Sequence, residues 1–105
     1  MGGLLWLMTK PNMSVAAFER WKQTDAYADY RSYRGAKTVD TVVRRTKRVL
    51  KGTASESDTE KLENYLARAT KGPAGRRRFG EGSSKISAKT AALRNWGYDT
   101  TGRFR

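Results

Sequence analysis

The sequence predicts an all-α fold, a small helical domain of three to four helices with an irregular basic C-terminal extension. Three observations carry that prediction. Apolar residues recur at helical spacing in successive segments. Polar caps and glycine stops bracket those segments. In the valine-rich segment, where strand propensity is highest, the alternation a strand needs is poor. A chain of 105 residues with 37% hydrophobic residues has room for one domain with a modest core. Its three Trp, five Tyr and three Phe argue against a wholly disordered basic chain.

Residues 1–13 form an apolar N-terminal segment, with Leu4, Leu5, Trp6 and Leu7 ahead of Lys10 and Pro11. It is far short of the ~20 apolar residues that span a bilayer. It also lacks the basic start and small-residue cleavage site of a secretory signal. The expectation is a packing or docking segment, or one that inserts into a neighbouring subunit.

Residues 14–71 are expected to form a three-helix core. Ser14 has the chemistry of an N-cap, since its hydroxyl can accept from an orphan backbone N–H of the first turn. Val15, Phe18 and Trp21 follow at helical spacing, and the first helix is predicted to run to about Arg34, before Gly35. Tyr27, Tyr30 and Tyr33 cover a broad face of it, with Arg34 one turn beyond Tyr30. The second helix is predicted over residues 38–51. Val39, Val42, Val43, Thr46, Val49 and Leu50 make its apolar stripe, and Gly52 stops it. The third is predicted over residues 57–71, with Ser57 and Glu60 as a capping box and Gly72-Pro73 as its end.

Residues 72–105 are expected to be a Gly/Arg-rich loop, a short helix and a basic tail. Ser87 caps the short helix, Ile86, Leu93 and Trp96 face the core, and Gly97 stops it. The final residues, from Tyr98 on, form a small hairpin or hang free.

The charge is uneven. The net is +12, from 22 Lys+Arg against 10 Asp+Glu. Residues 31–51 hold eight basic residues against Asp40 alone, and residues 76–105 hold eight against Glu81 and Asp99. Two basic blocks around a near-neutral one predict a polyanion-binding surface built in two pieces. In the first, Arg44, Arg45, Lys47, Arg48 and Lys51 lie off the apolar stripe and are expected to follow a phosphate backbone. In the second, Arg76, Arg77 and Arg78 sit between glycines, where planar guanidinium groups match phosphate oxygens and Phe79 can stack on an unpaired base. Lys85, Lys89 and Arg94 extend this block. Residues 87–97 resemble, in general character, the recognition helix of helix-turn-helix proteins, with Arg94 and Asn95 as base-reading types. The linker of about 15 residues before them is too long for that motif. The competing reading is a helix that packs Leu93 and Trp96 on the core.

The chain has no cysteine and no histidine. Disulfides and thiolate zinc sites are excluded, and the commonest general base is missing. The Gly80–Lys85 loop lacks the phosphate-cradling P-loop pattern. Asp25 and Asp29, four apart, would hold a magnesium ion only with ligands from elsewhere. The expectation is a non-catalytic nucleic-acid-binding protein with no cofactor and no small-molecule substrate. Its partner is DNA or RNA, it avoids the membrane, and it is placed in the cytoplasm or a nucleoprotein particle rather than secreted. Two other classes fit the same residues: a structural subunit of a virion or ribonucleoprotein particle, and a helical module docking on an acidic protein.

Overall fold

A computed structural model describes residues 9–80 and 85–104. The apolar start, Met1 to Met8, lies outside them. The described residues form five helices and one minimal hairpin. The order is α1 (Val15–Trp21), α2 (Asp25–Arg34), α3 (Ala36–Lys51), α4 (Glu56–Ala69), β1 (Arg78–Phe79), β2 (Ile86–Ser87) and α5 (Ala88–Asn95). The predominantly helical character expected from the sequence is therefore present.

The predicted helix from Ser14 to Arg34 is two helices. Ser14 caps α1 as expected, accepting from the Ala17 N–H at 3.1 Å. The chain then leaves the helix at Lys22. Thr24 explains the break, because its hydroxyl donates to the Trp21 carbonyl at 2.8 Å and accepts from the Tyr27 N–H at 3.2 Å. One side chain thus closes α1 and starts α2, a competition with the helix ladder that threonine can win. Aligning the two helices separately buries Phe18, Trp21, Tyr27 and Tyr30 in one core.

In α3 the stripe is as predicted. Val39, Val43 and Thr46 are buried, and Val42, Val49 and Leu50 are half-buried. The helix starts two residues early, directly after Gly35, and ends on Gly52 in the left-handed region at φ 78°. In α4 the Ser57–Glu60 capping box does not form. Ser55 is the N-cap, accepting from the Asp58 N–H at 3.1 Å. That start adds a turn of acidic residues, Glu56 and Asp58, at the positive end of the helix dipole.

The largest departure concerns residues 72–105. Of these, the described residues, 72–80 and 85–104, are no extension of a three-helix core. Phe79, Ala91, Leu93 and Phe104 are core residues, and α5 packs against all four preceding helices. Despite its glycines, the loop pairs Arg78 with Ser87 and Phe79 with Ile86 in an antiparallel bridge. That bridge drops Phe79 edge-on against Tyr30, with ring centroids 5.2 Å apart. One cluster gathers α1, α2, α3, the hairpin and Phe104. A second joins Leu62 and Leu66 of α4 to Leu93, with Tyr65 stacked on Trp96 at 4.0 Å.

The described residues after α5, 96–104, neither hang free nor form a hairpin. Asp99 is fully buried and accepts from the Phe104 N–H, the Thr101 N–H and the Thr101 hydroxyl. Its backbone pairs with Asn12. The Asn12 Nδ2 donates to the Asp99 carbonyl at 2.9 Å, and the Asp99 N–H donates to the Asn12 Oδ1 at 2.8 Å. The N–H groups of Asn12 and Met13 both donate to the Gly97 carbonyl. Gly97 has φ 85°, and a Cβ there would lie 3.1 Å from the Pro11 Cβ and 3.2 Å from the Thr46 Cγ2. Only glycine permits both the conformation and the approach.

Candidate nucleic-acid interface

The basic face of α3 is real, but acids from neighbouring helices reach it. Arg45 and Arg48 both approach Asp58 of α4, at 3.7 and 3.6 Å. The Lys47 ammonium lies 2.8 Å from Glu19 of α1. That contact is the largest cause holding the Glu19 carboxyl below its ordinary range, with Lys22 adding to it and desolvation opposing. Asp40 turns back to α2, where Arg31 grips it through two bonds of 2.8 Å. Arg44 and Lys51 are exposed, and no described acid pairs with them. The prediction of an acid-free face counted acids along one helix only. Folding brings in two more.

The Arg76–Arg78 loop is exposed throughout, and no described acid pairs with it. Arg78 is tied locally, donating to the Gly75 carbonyl at 3.1 Å. Arg77 covers two rings, with its guanidinium carbon 4.6 Å from the Tyr33 centroid and 5.4 Å from that of Phe79. Tyr33 stands 54% exposed beneath it at the end of α2. This contact joins the two basic blocks, since Tyr33 lies between Arg31 and Arg34. Phe79 itself is fully buried, so it offers no face to a base. Lys85 is exposed.

Two predicted contact residues are engaged inside the protein. Lys89 donates to the carbonyls of Thr70 and Gly72, so it closes the C-terminal end of α4. Arg94 is only 3% exposed and bonds Asp99 through Nε at 3.1 Å and Thr101 through Nη2 at 2.8 Å. Its guanidinium carbon lies 5.0 Å from the Trp21 ring centroid and 4.8 Å from that of Phe104. Burial pushes the Asp99 carboxyl up, but the Phe104 and Thr101 hydrogen bonds and the Arg94 charge outweigh it, leaving it below its ordinary value. Asn95 is also inside, accepting from the Trp21 indole N–H at 2.8 Å. The recognition-helix reading of residues 87–97 is therefore corrected: α5 is a core helix, and its polar residues tie neighbours together.

Sequence reasoning missed Arg34 as a lining residue of a cleft between α2, α3, α4 and α5. The cleft measures about 300 Å³ and is lined also by Tyr30, Val42, Tyr65 and Trp96. The apolar stripe of α3 was the available signal, since Val42 lies at its edge and is only half-buried. Among the described residues, no helix is long and apolar enough to cross a membrane. No family model, curated protein or solved structure matches the chain.

Proposed function

We propose that the protein binds nucleic acid without catalysis, chiefly through phosphates and with limited sequence specificity. The observation that supports this most is the meeting of the two basic blocks at Tyr33, where Arg77 covers the exposed ring. A guanidinium seated on an aromatic face keeps its donors at the edge, where a phosphate oxygen can take them. Arg76, Arg77, Arg78 and Lys85 form one arm of the surface, and Arg34, Lys37, Arg44 and Lys51 the other. Arg45, Lys47 and Arg48 play a secondary part. Their acid partners are partly exposed, and exposed pairs are worth only about 0–1 kcal/mol, so phosphates can compete for the same cations. Arg94 and Lys89 are not part of this surface, because each is committed inside the protein.

The test is affinity for a mixed-sequence oligonucleotide across a salt series. Binding is expected to fall steeply with salt, and to weaken strongly when Arg76, Arg77 and Arg78 are all replaced by Glu. An affinity that ignores salt, or no binding at all, would sink the proposal and leave an acidic protein as the partner to seek.

A further inference from the structure

The geometry points to a second feature of this surface: the cleft between α2, α3, α4 and α5 is a pocket for one unpaired base of a single-stranded nucleic acid. This rests on the nucleic-acid reading above and goes beyond it, because it sets the form of the partner and the place of a base.

The cleft has an apolar wall of Val39, Val42 and Ala92 and an aromatic one in Trp96, which stacks on Tyr65 with 16° between the rings. At about 300 Å³ it is near the lower end of ligand clefts, which suits one flat ring system. Its polar groups are few and differ in kind. The Trp21 indole holds Asn95 Oδ1, which orients the amide and leaves Nδ2 as its donor end. Asn95 lines the cleft, so an amide donor belongs to its lining. Arg34 also lines the cleft, and its positive charge acts on the phenols of both Tyr30 and Tyr65. Arg68 acts on Tyr65 as well. Neither arginine pairs with a described acid. An apolar slot with an amide in its lining and two cations near its phenols matches a base with its phosphate, and Tyr30 links it to the Tyr33–Arg77 platform. A duplex keeps its bases stacked and has no ring to offer.

The experiment compares a short oligodeoxythymidine with a duplex of equal length, in a Trp6→Phe background. Trp21 is fully buried, so quenching of the remaining fluorescence reports Trp96. The single strand is expected to bind about tenfold more tightly than the duplex and to quench Trp96. Val42→Phe, which fills the cleft without adding a tryptophan, should remove both the preference and the quench while leaving duplex binding intact. Arg34→Ala keeps the test available if Val42→Phe misfolds, because Arg34 is exposed. It should cost the single strand more than the duplex. Equal affinity for the two forms with no quench overturns the base pocket and leaves phosphate binding standing. Binding of neither form overturns the parent reading, and the pocket with it.

Discussion

Arg94 and Asp99 form an ion pair from which water is almost wholly excluded, with side chains 3% and 0% exposed and Nε 3.1 Å from Oδ1. Asp99 also accepts from the Thr101 and Phe104 N–H groups and the Thr101 hydroxyl, and Arg94 donates to Thr101 as well. Removing one member leaves the other charged and stranded, which typically costs about 3–5 kcal/mol. Arg94→Ala is thus expected to destabilise the fold severely, as read from urea unfolding. It should do so without a specific effect on nucleic-acid contacts. A mild loss of stability with a large loss of binding would restore Arg94 to the surface.

The same pair sets an acid limit. The folded Asp99 carboxyl titrates below its ordinary value of 3.8, so the unfolded chain binds the proton more readily. Stability from this group is present above the unfolded value and is lost as pH falls through the folded one. Glu19 and Asp40 are lowered as well and act in the same direction. Thermal melting should therefore drop steadily below about pH 5. Asp99→Asn should be less stable at neutral pH and show a flatter acid profile. An unchanged profile would remove Asp99 from this account.

Ser55 and Ser57 separate two starts for α4. Ser55→Ala should cost about 1 kcal/mol, and Ser57→Ala well under half of that. Chemical denaturation of the two variants decides the matter, and the reverse order would bring back the capping box.

Gly97 and Gly52 have similar positive φ values, 85° and 78°, but only Gly97 has close neighbours. Gly52→Ala should cost about 1–2 kcal/mol for the left-handed backbone alone. Gly97→Ala adds overpacking against Pro11 and Thr46, about 1–3 kcal/mol more. Equal losses would mean that Pro11 and Thr46 yield freely.

Arg77 and Arg44 are exposed and have no described acid partner, whereas Arg45 is half-buried beside Asp58. If each of the first two contacts a phosphate, its replacement by Ala should lower the slope of log affinity against log salt by about 0.9. Arg45→Ala should lower it less. Equal slopes for all three would show that the Asp58 contact does not matter to the surface.

Much of this fold is legible along the chain because its signals are local. Ser14, Ser87, Gly52 and the α3 stripe each act within a few residues, and each appears where its spacing places it. Thr24 was missed because a threonine between two acceptable helices gives no apolar gap. Its role depends on where Trp21 must point. The fate of residues 72–105 was hidden for a different reason. Glycines and arginines read as solvent-loving, whereas burial of Phe79, Arg94, Asp99 and Phe104 depends on partners up to 87 residues away. The surface was half legible. The cations are where helical periodicity put them, but Glu19 and Asp58 reach three of them only through tertiary packing.

The clasp between Asn12 and Asp99 has a consequence for how the chain is made. Synthesis delivers α1 to α4 before residues 99–104 exist. During that interval Trp21 lacks the Phe104 edge, Asn12 lacks its acceptor, and the cavity awaiting Arg94 stays open to water. Closure of this cluster is therefore expected only once Asp99 and Phe104 have emerged. A product truncated before Asp99 would remain in that open form. Protease sensitivity of ribosome-bound chains of increasing length would time the closure.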